Sequence, residues 1–552
     1  MTQRILILGG GFAGLFAARE LRRKLPKAEI ELINAENYFV FQPLLPEVAA
    51  GAITAPHAVT PLRFLLKGVK VRKARIHDVD VSRKVVTIFQ GVQRRPTEVG
   101  YDQLVVALGQ ETDLSRMPGL ADHALTMKTL EDARRLRAHV IERLEHADIT
   151  RLPEVKKEAL TFCVIGAGFS GVETVGEMKE LIDRSLKYYP NVSRGEVSVK
   201  VVEFAPRVLG ELPESLGRYA AKQLEKRGIE ILLGVGVKSA TGTRLILSDG
   251  TEIPTRTIVA TIGNAPSKVV QAMPLAHAHG RIKVDRMLRC EGQTDVWSLG
   301  DCAMIPMKEG ASARTDFAPP TAQFAVREAR QLAENIAASL SGKALKPFNY
   351  KSQGALASLG ARRGVAEVWG MKLSGFPAWL LWRAYYVAFL PGFGTKVKVL
   401  LNWVMDAVSP RSTVQMRSEA PPAARYVHYR AGDRIFEAGT RADGFYTVIE
   451  GAVELTYPDT HTGEPVTKRV TPGQHFGERM VLGQERRSGT VHALEDTKVL
   501  VLDRDAFLKI ADAFPVMRSY FQGYMKQTYD IDWPTPTPTQ TQTQAPTTGR
   551  EG

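Results

Sequence analysis

The sequence predicts an α/β protein with two Rossmann-like dinucleotide-binding halves, followed by an amphipathic helical segment and an all-β roll. Three observations carry that prediction. A strand, glycine turn, helix and second strand open the chain; a similar unit recurs from Thr161; and short alternating segments broken by glycines run on after residue 424.

The first unit has the apolar strand Ile5 to Leu8, the turn GGGFAG, a helix through Phe16 to Leu25 and a strand from Ile30 to Ile33. Gly9, Gly11 and Gly14 fit GxGxxG. In that motif the first glycine makes the tight turn, the second lets backbone N–H groups approach a pyrophosphate, and the third lets helix and strand pack closely. Between the two units, Lys70 to Val106 alternates as strands do. The second unit runs from the strand Thr161 to Ile165 through Gly166, Gly168 and Gly171 to a helix past Ile182, an inserted loop, and the strand Val197 to Val202. Two copies in the same context argue against mere tight turns. Glu230 to Ile262 again alternates, with a turn at Asp249 and Gly250, and Pro319 to Leu340 returns to a helical period.

An acid about 20 residues beyond such a motif normally takes a ribose hydroxyl. The first unit offers Asn34 there, whose amide oxygen still accepts a hydrogen bond, with Glu36 just beyond. The second ends its strand in Glu203, a carboxylate that repels a 2′-phosphate, which predicts NADH over NADPH; Arg207 nearby works against that preference.

Phe376 to Leu390 and Lys396 to Val408 are rich in aromatic and apolar residues with basic flanks. In the second stretch Lys398, Asn402 and Asp406 fall on one helical face and Val397, Leu400, Leu401 and Val404 on the other. Trp379, Trp382 and Trp403 beside Tyr385, Tyr386, Arg383, Lys396 and Arg411 describe an interfacial, non-spanning membrane anchor across 376–411. The competing use of such a stripe is a buried hairpin or a homodimer interface. Ser418 to Ala424 reads as a linker, and the tract from Pro534 is a low-complexity polar tail expected to be disordered.

Composition bounds the function. A chain of 552 residues holds several domains, and its charge of +14 favours an anionic partner without choosing among membrane, nucleic acid and phosphate-bearing cofactors. Only three cysteines occur, Cys163, Cys290 and Cys302, with no CxxC, so neither a dithiol centre nor a metal site is expected. Redox chemistry therefore needs a cofactor. No apolar run reaches the roughly 18 residues of a spanning helix, which excludes a transmembrane pump. The strand at Ile5 leaves no room for a secretory leader.

Five ordered strings make a family resemblance: NYFVFQPLLPEVAAG (37–51), VVALGQET (105–112), GAGFSGVE (166–173), VWSLGDCA (296–303) and PPTAQFAVREA (319–329). Over about residues 1–417 the chain resembles the type II NADH dehydrogenases, single-subunit flavoproteins. The resemblance implies FAD in the amino-terminal fold, NADH in the inserted one and electrons passing to a membrane quinone, at the cytoplasmic face of the cell membrane as a peripheral protein. It implies that Gly300 and Asp301 are the flavin-binding GD pair, and that Glu173 lies near nicotinamide and quinone. Ala322, Gln323 and Ala325 match the start of the quinone motif AQxAxQ, whose last glutamine is here Arg327. A helix N-cap for Asp301, a first-turn acid for Glu173 and an ordinary polar face for Gln323 are the plain alternatives.

Residues 425–533 resemble cyclic nucleotide-binding domains through FGERMVLGQERRSGTV (476–491), similar to their phosphate-binding cassette. The resemblance implies that Gly477, Glu478, Arg487 and Ser488 hold the ribose and cyclic phosphate of cAMP or cGMP; Met480, Val481 and Gly489 depart from the pattern. No helix-turn-helix signature follows, so nucleic acid is not the expected partner. The expected organisation is an oxidoreductase region over 1–375 with its NADH part at about 160–265, anchor helices over 376–417, a linker over 418–424, the roll over 425–533 and a tail over 534–552. The expected activity is FAD-dependent, non-pumping NADH:quinone reduction under cyclic-nucleotide control. Sulfide:quinone reduction, which needs two cysteines flanking the flavin, and a redox-sensing flavoprotein without turnover are the alternatives.

Overall fold

In the computed structural model the described residues are 2–529, except 92–94, 415–423, 441, 443, 459–461, 479–485, 504–505, 508–509 and 512–513. The linker and tail expectations, and the departures at Met480 and Val481, thus lie mostly or wholly outside the described residues. The chain divides into two compact units, Met1–Ser418 and Glu419–Gly552.

The first unit holds two parallel five-stranded sheets. One runs Val296–Ser298, Gln103–Val106, Arg4–Leu8, Glu29–Asn34, Lys70–Lys73. The other runs Ala124–Thr126, Thr257–Ala260, Thr161–Ile165, Ser198–Glu203, Ile229–Leu233. Their central strands are buried on both faces, as Ile5 to Leu8 and Phe162 to Val164 show at 0% exposure, which is why these strands read as continuous apolar runs. Each sheet carries its glycine helix, Phe12–Lys24 and Phe169–Ser185. A three-stranded antiparallel sheet, Gly354–Ser358, Gly364–Val368 and Met371–Gly375, leads into the helices Phe376–Phe389 and Phe393–Val408.

The helix Phe393–Val408 is amphipathic, and its face bearing Asn402 and Asp406 turns inward. Asn402 accepts from Thr54 N–H at 3.1 Å and meets His57 Nδ1 at 2.5 Å, while Asp406 pairs with Arg411 at 2.8 Å and Arg184 at 3.2 Å. Val397, Leu400, Leu401, Val404 and Val408 are exposed. Among the described residues no helix is long and apolar enough to cross a membrane. Four residues assigned to the interfacial belt belong elsewhere. Trp382 and Trp403 are buried, because each indole N–H is taken by an internal carboxylate; Arg383 and Arg411 pair with Glu47 and Glu177 rather than flanking a membrane.

The second unit is a roll of two four-stranded antiparallel sheets around Tyr446, Val448, Val453, Val470, Phe476, Val491, Val499 and Val501. Its glycine breaks are turns with positive φ at Gly432, Gly439, Gly451, Gly463 and Gly473. Helix Pro515–Tyr529 brings Phe521 onto Phe445 and Phe507.

Candidate functional site

The two glycine turns are near copies. Gly9 and Gly166 have φ of +102° and +99°, conformations open to glycine alone at low cost. A Cβ on Gly14 would meet the Gly9 carbonyl at 1.9 Å, and one on Gly171 would meet the Gly166 carbonyl at 1.9 Å. By contrast, Gly11 and Gly168 face open space, with nothing within 4 Å. A bare backbone at a helix N-terminus beside open space is the cradle a pyrophosphate needs, so both turns fit a dinucleotide.

The residues after each second strand differ in how they are held. Asn34 Oδ1 accepts from Gly10 N–H at 2.8 Å, and its amide donates to the Glu36 carbonyl at 2.8 Å. The amide thus braces the glycine loop. Glu203 accepts from Ala167 N–H at 2.5 Å and Ala205 N–H at 2.8 Å, which fixes a carboxylate beside the second loop. Arg207 is spent on the carbonyls of Leu212 (2.8 Å) and Gly210 (2.5 Å).

Gly300 and Asp301 join the first half. The Gly300 turn approaches the glycine helix so closely that a Cβ would lie 2.8 Å from Ala13 Cβ. Its N–H donates to Glu328 at 2.8 Å, a carboxyl pushed up to about 8 by burial. Asp301 sits in the short turn Gly300–Cys302 and caps no helix; burial raises its pKa against the pull of Lys128 and Arg281. Glu328 gave no signal in the sequence beyond its place in the helix Ala322–Leu340.

Glu173 is not a first-turn acid. It is buried in the second glycine helix, where Oε1 accepts from Trp382 Nε1 at 2.8 Å and Ser358 N–H at 3.1 Å. Gly176 permits this, since a Cβ there would meet the Leu359 carbonyl at 2.6 Å and push the hairpin off the helix. Burial pushes the Glu173 carboxyl up to about 8, with Glu47 and Glu177 adding repulsion, which favours its protonated form near neutral pH. Glu47, also raised by burial, accepts from Trp403 Nε1 at 2.9 Å and pairs with Arg383 at 3.1 Å. Arg411 pairs with Glu177 at 3.3 Å. These partners escaped sequence reading because they stand hundreds of residues apart.

Gln323 is held at the start of Ala322–Leu340, near buried Ala325. Its side-chain oxygen accepts from Tyr350 Oη at 2.9 Å, Ser352 Oγ at 3.3 Å and Gln353 N–H at 3.4 Å, and its amide donates to Tyr385 Oη at 3.5 Å. Arg327 donates to the Gln323 carbonyl at 3.2 Å and lies 5.0 Å from the Tyr350 ring and 5.7 Å from Phe389. The three thiols are buried, with pKa values raised by burial, and none is in a disulfide.

In the roll, Arg487 is 5% exposed, donates to the Gly444 carbonyl at 2.8 Å and lies 4.1 Å from the Phe436 ring. Gly477 (φ +81°) makes room for it, as a Cβ there would lie 2.6 Å from Arg487 Nη1. Glu478 is buried and Ser488 half-buried.

Residues 3–329 match the pyridine nucleotide-disulphide oxidoreductase family, 352–412 the NDH2 C-terminal domain and 426–514 the cyclic nucleotide-binding domain. The type II NADH:quinone oxidoreductase Ndh of Mycobacterium tuberculosis is 32% identical over 425 residues, covering 74% of this chain and 89% of that protein. The demethylphylloquinone reductase NdbB of Synechocystis is 31% identical, covering 73% and 95%. Among solved structures, NDH2 from Plasmodium falciparum in complex with NADH superposes with a TM-score of 0.70 at 19% identity, over 75% of this chain and 100% of that one. The sulfide:quinone oxidoreductase of Aquifex aeolicus shares the fold at a TM-score of 0.57 and 17% identity, over 75% and 96%.

Proposed function

The chain belongs to the type II NADH:quinone oxidoreductases, within the pyridine nucleotide-disulphide oxidoreductase family, and on that premise we propose how its own residues divide the reaction. It is an FAD-dependent NADH dehydrogenase that passes electrons to a quinone and carries a cyclic nucleotide-binding domain. Bound FAD, which Gly9, Gly11, Gly14, Gly300 and Asp301 would hold, supplies the hydride acceptor and electron donor that the side chains lack.

Gly166, Gly168 and Gly171 take the NADH pyrophosphate, and Glu203 takes a ribose hydroxyl and rejects a 2′-phosphate. Arg207 keeps its charge but turns its donors onto two backbone carbonyls. Reduction of a quinone to a quinol consumes two electrons and two protons. Glu173 holds one such proton on its neutral carboxyl, and Trp382 and Ser358 fix where it is held. Gln323, oriented by Tyr350 and Ser352, positions the acceptor. The observation that carries this reading is the Trp382 to Glu173 bond, which ties the buried acid to the helix Phe376–Phe389.

Attachment is peripheral and on the cytoplasmic face, through the outward apolar face of Phe393–Val408, where a water-insoluble quinone is met. The roll binds cAMP or cGMP, with Arg487 on the cyclic phosphate and Glu478 on the ribose. Steady-state NADH oxidation with excess quinone tests the whole: continued turnover supports it, and a single flavin reduction followed by arrest contradicts it.

A further inference from the structure

Glu203 and Leu233 are paired at the ends of parallel strands, so the turns that follow leave the same sheet edge side by side. Two backbone bonds lace them together: Val235 N–H donates to the Glu203 carbonyl and Gly234 N–H to the Ala205 carbonyl, both at 3.2 Å. Phe204 sits between those two acceptors, on backbone held from both sides, yet its side chain is 80% exposed.

The surroundings of the ring are bare. A Cβ on Gly236 would lie 3.4 Å from Phe204 Cδ2, and a Cβ on Gly234 would meet nothing within 4 Å. An aromatic face thus stands exposed beside the glycines of the Gly234-Val235-Gly236 turn, whose valine packs toward the core, in a form that accepts a flat group. Glu203, the preceding residue, says which group. Its carboxylate is pinned to Ala167 of the glycine turn and is the ribose acceptor in the NADH reading, and the base on that ribose lies within a residue's reach of it. Ligands of open α/β sheets also lie across the carboxyl ends of the strands, which is this edge.

We propose that Phe204 stacks on the adenine of NADH and sets the affinity for the adenosine half of the donor, an inference that rests on the NADH reading above. The backbone that carries the ring is already held before binding, so only side-chain freedom is lost on contact. Stacking discriminates poorly among bases, so Phe204 governs affinity while Glu203 governs the 2′ position.

The test is calorimetric titration of the FAD-loaded full chain with ADP-ribose, which keeps the adenosine and lacks the nicotinamide. Phe204→Ala weakens binding roughly five- to 150-fold, the scale of one base–aromatic stack. Phe204→Trp restores it, and Phe204→Leu, which keeps apolar bulk without a plane, does not. The KM for reduced nicotinamide mononucleotide, which has no adenine, is unchanged in all three. ADP-ribose affinity within about twofold of wild type in Phe204→Ala overturns the stacking role alone. A wild type that binds no ADP-ribose overturns the NADH reading with it.

Discussion

Glu173 shows how a single residue acquires chemistry from burial. Its carboxyl, pushed up to about 8, is a proton donor below that pH and loses the role above it. The quinone half-reaction is therefore expected to slow as pH rises through about 8, and Glu173→Gln to lack that limb, as stopped-flow rates across pH 6–9 will show. The same shift bears on stability. The folded-state pKa lies above the unfolded value, so the contribution is full below about 4.5 and lost as pH rises through about 8. Melting temperature should fall across that window, less steeply in Glu173→Gln. On the donor side, Glu203 predicts at least an order of magnitude in kcat/KM for NADH over NADPH, narrowed by Glu203→Arg; equal use of both donors by the wild type contradicts this. Arg327 has no carboxylate partner among the described residues and lies near Gln323, so Arg327→Gln should change the ranking of quinone substrates while flavin reduction by NADH stays as fast. The glycines and Glu203 were legible because one local motif defines them. The Trp382 and Trp403 bonds were not, since each joins residues more than 200 positions apart.

At the scale of elements, the helix Phe393–Val408 follows the period read from the sequence, with Asn402 and Asp406 opposite Leu400 and Leu401. Periodicity alone does not say which face meets protein. Here the polar face does, because Thr54, His57, Arg184 and Arg411 offer it partners. Tryptophan counting misled for a related reason: an indole suits a membrane interface and also a buried carboxylate, and only the fold decides. The two surfaces respond differently to charge. Leu400→Glu with Leu401→Glu should reduce binding to anionic vesicles roughly tenfold or more, each lost apolar burial being worth about 1.5–3 kcal/mol, with FAD retained. Trp403→Glu instead sets a second carboxylate against Glu47 and should lower stability by about 3–5 kcal/mol, read as a drop in melting temperature.

For the whole molecule, the sequence marked both units: paired glycine motifs announced the sheets, and glycine-punctuated alternation announced the roll. What stayed hidden was the company each residue keeps, such as Glu328 bracing Gly300 or Phe436 lying against Arg487. In the full chain, Arg487→Ala should abolish cAMP and cGMP binding, because the guanidinium is the cation set among Gly444, Gly477 and Phe436. Nucleotide should alter quinone reduction more than flavin reduction by NADH, by a coupling on the order of 1–3 kcal/mol that is reciprocal in binding. In the proposed division of labour the buried acid Glu173 serves the acceptor side of the reaction. Anaerobic stopped-flow absorbance on Glu173→Gln, with NADH added first and quinone second, separates the two half-reactions. The expected result is wild-type flavin reduction by NADH and reoxidation by quinone slowed at least tenfold; slow reduction with normal reoxidation contradicts the assignment.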